Sequence, residues 1–151
     1  MSTLTNGQDL IYSSHMRDDR WLLSRLDYLW TNYFPDVPQI NPVFIKFGRQ
    51  AKLRFGSIRM EPWSKKTYIV ITGMFKSSKI PAEVVDHTIA HELTHYVHGF
   101  SSPHKRLHRF PHEGGVVRGE LENRGLIHLF KAYKEWIKSY KVELRGYYGR
   151  R

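Results

Sequence analysis

The chain contains no cysteine. Disulfides, thiolate zinc fingers and thiol catalysis are therefore excluded, and any zinc would have to be held by histidine and carboxylate. The absence fits a reducing compartment. No apolar run approaches the ~20 residues that a membrane span needs. Met1 to Gln8 is polar and holds no apolar h-region. The expectation is a cytoplasmic protein with neither signal peptide nor membrane partner. Acid is also scarce: 14 Asp and Glu face 24 Lys and Arg, a formal charge of +10. Residues 42–80 carry nine Lys or Arg against Glu61 alone, and residues 131–151 carry seven against Glu135 and Glu143. Two such blocks predict DNA contact through a basic surface, the plainer reading being a solvated face.

With 151 residues, 40% hydrophobic and 14% aromatic, the chain can build one core. The expected organisation is a flexible N-terminus at 1–13, one domain at 14–144, and a basic C-terminal tail at 145–151. Trp21, Leu22, Leu26, Leu29, Trp30 and Tyr33 recur at helical spacing and predict a helix over 15–33, stopped by Pro35 and Pro38. The period then changes to two. Val43, Ile45 and Phe47, then Leu53, Phe55 and Ile58, then Tyr68 to Thr72 predict strands near 42–48, 52–60 and 67–72, read as an antiparallel meander. Helices follow near 82–98, 114–121 and 125–143. The fold class is α+β: an N-terminal helix, a three-stranded antiparallel sheet, a central helix and C-terminal helices.

The central helix carries His91-Glu92-Leu93-Thr94-His95. Histidines four apart on a helix stand one turn above the other and can converge on one Zn²⁺. Glu92 projects beside them, where it can act as general base toward a water. Nine histidines make chance occurrences of the pattern common enough that its context matters. Here Pro81 suits a first helical turn, Glu83 and Asp86 favour its positive end, Val84, Val85, Thr88, Ile89 and Leu93 give a buried face, and Gly99 is a stop.

A catalytic zinc needs a third protein ligand and an open position. His98 is too near His95 in sequence to close the site from the far side, and is expected to make a solvent or loop contact. His104 and His108 lie among Lys105, Arg106 and Arg109, a setting for phosphate. His112 precedes Gly114-Gly115 and a new helix, where two glycines allow close backbone approach. Glu120 on that helix could reach back to complete a His₂Glu set. His112 is favoured, with Glu120, His104 and His108 open.

With those residues in place, the chain resembles the SprT-like zinc metalloprotease domain over roughly 20–125. The resemblance rests on the first helix ending in Tyr33-Phe34-Pro35, on Arg54-Phe55-Gly56-Ser57-Ile58 as the family's Arg-x-Gly strand, on Ile69-Val70-Ile71, and on the run from Pro81 through His95. His112-Glu113-Gly114-Gly115-Val116 fits the segment of the third histidine, with Glu113 and Val116 where Gly and Phe are usual. The resemblance implies a small zincin-like monozinc peptidase with His91, His95 and His112 as ligands and Glu92 as base. It also implies action on proteins bound or crosslinked to DNA. Arg54, Arg59, Lys65, Lys66, Lys105 and Arg106 are the candidate substrate or nucleic-acid contacts. The strand near 67–72 is expected to offer its edge to an extended substrate. Two rivals remain: a basic DNA-binding module with a zinc site and no protease activity, and a general intracellular peptidase unconnected with DNA.

Overall fold

The computed structural model describes residues 17–149. The fold is α+β, with four α-helices and one three-stranded sheet among the described residues. Helix α1 (Asp19–Tyr33) is capped by the Asp18 side chain, which accepts from the Trp21 N–H at 2.9 Å. It turns Leu22, Leu26 and Leu29 inward. Strands β1 (Val43–Phe47), β2 (Gly56–Met60) and β3 (Thr67–Ile71) follow, then a short 3₁₀ turn at Gly73–Lys76. Helix α2 (Ala82–Val97) carries the histidine motif, and α3 (Val116–Asn123) and α4 (Ile127–Gly149) close the molecule. No helix among the described residues is long and apolar enough to cross a membrane.

The sheet is mixed, which corrects the expected antiparallel meander. Its order is β1-β3-β2, with β1 parallel to β3 and β2 antiparallel to it. Alternation in the sequence identifies which face each side chain takes but not which strand lies alongside. Partner choice is made in the connections. Residues 48–55 cross the end of β3, where Gly48 N–H donates to Ile71 O and the Thr72 hydroxyl donates to Ala51 O. At the other end the Asn41 side-chain amide donates to Lys65 O and Thr67 Oγ1. These bonds hold β1 against β3. The strand expected at 67–72 is therefore central, and the free edge near the motif belongs to β2.

Helix α2 is buried between the inner face of the sheet and the other helices. Val84, Val85, Ile89, Ala90, Leu93 and Tyr96 meet Ile45, Phe47, Ile69, Ile71 and Leu121 in one core. Helix α4 runs past the expected 125–143 to Gly149, so five residues of the expected tail are helical, while Arg150, Arg151 and the expected flexible 1–13 lie outside the described residues.

Candidate metal centre

Because α2 is buried on nearly every side, its polar residues need partners. Thr88 and Thr94 hydroxyls donate back to Val84 O and Ala90 O. Asp86 accepts from both Arg25 Nε (2.9 Å) and Nη2 (2.6 Å), a two-point ion pair between α1 and α2. His98, nearly fully buried, donates from Nε2 to Glu120 Oε1 at 2.8 Å. Once these are paired, four polar residues of the helix remain turned toward one cleft: His87, His91, Glu92 and His95.

The third histidine arrives from the loop before α3. Ring atoms of His91, His95 and His112 that could ligate a metal all lie within 4.8 Å of one another. His91 Nε2 and His112 Nε2 are 3.1 Å apart. Two ligands at ~2.0–2.1 Å on a tetrahedral ion would stand about 3.3 Å apart, so the spacing suits a shared metal. The three imidazoles could hold a metal ion. Burial, and then the nearby His112, holds the His91 pKa down to about 4. Burial, His91, His112 and His98 hold that of His95 down to about 3. Both are thus neutral near pH 7, the form that ligates metals.

His112 reaches this position through a left-handed turn. Gly114 (φ 55°) and Gly115 (φ 70°) follow it, and Gly115 is the N-cap of α3. A Cβ at either glycine would meet nothing within 4 Å. The expected close backbone approach is absent, and the glycines serve the turn instead.

The other candidates are engaged elsewhere. Glu120 accepts from His98 and, through Oε2, from Arg124 Nε at 2.7 Å, and Arg124 also forks onto Asp36. His104 Nε2 lies 2.8 Å from Pro38 O. The His108 ring sits 4.6 Å from that of His98. His98 is a buried strut and makes no solvent contact, while the expected loop contact is present through the His108 ring and the Leu107 N–H, which donates to His98 O.

Glu92 is buried, and burial pushes its pKa up to about 7, partly countered by Arg54. The space it occupies is secured by Gly56 of β2. A Cβ there would come within 2.7 Å of Thr88 Cγ2 and 3.2 Å of Glu92 Oε1. The motif as read in the sequence contains no sign of this contact, since the partner lies 36 positions away.

The cleft has a volume of about 560 Å³. Its walls are the segment into β2, the motif face of α2, the loop around Phe100 and Arg106, and Tyr133 of α4. Of the basic candidates, Arg54 and Arg106 line it. Arg59 instead lies over the Tyr68 ring on the far face of the sheet. Lys65 and Lys66 sit in the β2–β3 turn, and Lys105 is exposed in the loop; none of the three lines the cleft. His87 also lines the cleft, stacked on Tyr133 at 4.5 Å and 11°, with burial and then His91 holding its pKa down to about 3. Its place four residues before His91 was the available signal, because that spacing puts it on the motif face. No protein-family model, no curated protein and no solved structure matches the chain.

Proposed function

We propose that this chain is a zinc-dependent peptidase with a zincin-like, SprT-like domain, cleaving extended polypeptide and acting on proteins associated with nucleic acid. The observation that carries the reading is the convergence of His91, His95 and His112 in the same cleft as the buried carboxylate of Glu92. Three imidazoles with a fourth side open to a cleft match the donor set of a catalytic zinc. A purely structural site would give Glu92 no reason to be buried beside the ligands. Zinc held there would act as a Lewis acid toward a carbonyl and make a water acidic near neutral pH.

The chain supplies the rest. Glu92, with its proton affinity raised to the neutral range, takes a proton from the attacking water and hands it to the leaving amine. Arg54 at the cleft wall favours the carboxylate form of Glu92 before the transfer. Substrate alignment falls to β2. Thr72 N–H donates to Phe55 O and Glu61 N–H to Lys66 O. Bonded pairs alternate along an antiparallel ladder, so the backbone groups of Gly56, Ile58 and Met60 point away from β3. Gly56 and Ile58 line the cleft, where an extended peptide can add as a strand. Ser101 Oγ already donates to Ile58 O at 3.2 Å and would be displaced or shared. The charge of +10 supports a polyanionic partner for the substrate.

The test is metal removal. Chelated full-length protein should lose cleavage of an unfolded polypeptide such as casein, and one equivalent of Zn²⁺ should restore it. Equal cleavage by chelated and zinc-loaded protein would refute the reading.

A further inference from the structure

The outer face of the sheet, away from the helices, has a composition that the cleft does not use. Cross-strand register brings Phe44, Tyr68 and Arg59 into one row. The Phe44 and Tyr68 rings stack with centroids 5.4 Å apart and 22° between planes. The Arg59 guanidinium lies 4.8 Å from the Tyr68 centroid. Phe44 is 46% exposed. Lys46 and Val70 form the next row, and beyond Val70 lies a hollow of about 200 Å³ bordered by Arg49 and Arg54. Lys66 is exposed two positions before Tyr68.

Among the described residues, none of Lys46, Arg49, Arg59 and Lys66 pairs with a carboxylate. Glu61, the one acid between residues 42 and 80, accepts from the Ser64 hydroxyl. Tyr68 is enclosed between Phe44 and Arg59, so the accessible π surface is that of Phe44, which Tyr68 backs, and it stands among uncompensated positive charge. Single-stranded nucleic acid has the complementary pair of features, exposed base faces and a charged backbone, whereas a duplex hides its base faces in its own stack.

We propose that this face binds single-stranded nucleic acid, with a base stacking on Phe44, which Tyr68 backs, and phosphates meeting Lys46, Arg49, Arg59 and Lys66. The proposal rests on the polyanion part of the function above and specifies its strand state, but it needs none of the peptidase chemistry. Strand β2 joins the two sites. Its Arg59 belongs to the outer row while Gly56 and Ile58 line the cleft, so a protein held on the bound strand would lie beside the hydrolytic residues.

Fluorescence anisotropy on the full chain tests this, with labelled oligothymidylate, a duplex of equal length and phosphatidylserine vesicles as probes. Oligothymidylate should bind more tightly than the duplex. Phe44→Ala and Tyr68→Ala should each weaken that binding about tenfold. Phe44→Leu, which keeps an apolar cross-strand pair without a stacking face, should do the same at unchanged melting temperature. Lys46→Ala and Arg59→Ala should each lower the salt slope by about one. Glu92→Gln should leave binding intact, which separates this result from the fate of the peptidase reading. Equal binding of single strand and duplex with no effect of the ring variants would overturn the proposal. So would ring-dependent binding of vesicles without binding of the oligonucleotide.

Discussion

His112 and Glu120 lie eight residues apart around one helix start, and they have different work. Glu120 sits in a hydrogen-bonded chain that runs from His98 through Arg124 to Asp36. Burial alone would raise its pKa, but the hydrogen bonds from His98 and Arg124 outweigh that and hold it below the usual carboxylate range. His112 is exposed, and its ring meets those of His91 and His95 at the cleft. The two substitutions should therefore separate cleanly. His112→Ala should weaken zinc binding by at least about a hundredfold, measured by competition with a chelating dye, because losing a ligand exceeds the effect of losing a supporting contact. Glu120→Ala should cost about 2 kcal/mol in denaturant unfolding and keep one zinc per chain. The lowered pKa also fixes a sign. Stability contributed by Glu120 is complete above the ordinary carboxylate value of 4.5 and is lost as pH falls through the lower folded value. Unfolding midpoints of the protein and of Glu120→Gln should converge in acid. Gly56 is the third residue with a defined task. Gly56→Ala should retain zinc yet reduce hydrolysis about a hundredfold, because its Cβ must push Thr88 or the Glu92 carboxylate out of place.

Among the elements, α2 is decisive, and its burial explains much of its sequence. On a helix enclosed on nearly every side a buried charge is costly without a partner, and Arg25 of α1 holds Asp86, so that the pair ties the first helix to the motif helix. Arg25→Ala would leave Asp86 buried without its partner. The expected loss is about 3 kcal/mol, read as a lower urea midpoint, with loss of cooperativity between α1 and α2 if the helices part. The helices and the HExxH face were legible because helical period and capping are local properties of the chain. Val84, Val85, Ile89 and Leu93 announce their burial by spacing alone. The sheet was legible only by half. Phe44 against Ile45 and Tyr68 against Ile69 show which side is inward, but the placing of β3 between β1 and β2 depends on Asn41, Gly48 and Thr72 meeting strands distant in sequence. Such pairings have no local signature. The same reason kept the pairing of His98 with Glu120 and the contact of Gly56 with Glu92 out of view, since each partner lies more than twenty residues away.

At the scale of the molecule, two surfaces share β2: a cleft lined by histidines and Glu92, and a basic aromatic face on the other side of the sheet. The net charge was legible from composition, but its division was not. Arg54 and Arg106 go to the cleft, Arg59 to the sheet face, and Lys65, Lys66 and Lys105 to neither cleft wall. The claim on which the rest depends is that Glu92 moves the proton in a hydrolysis supported by metal held on His91, His95 and His112. The direct measurement is the casein cleavage rate of Glu92→Gln against the unaltered protein at equal, verified zinc content. A loss of about a thousandfold with zinc fully retained is the predicted result. Cleavage by Glu92→Gln at the unaltered rate would contradict it.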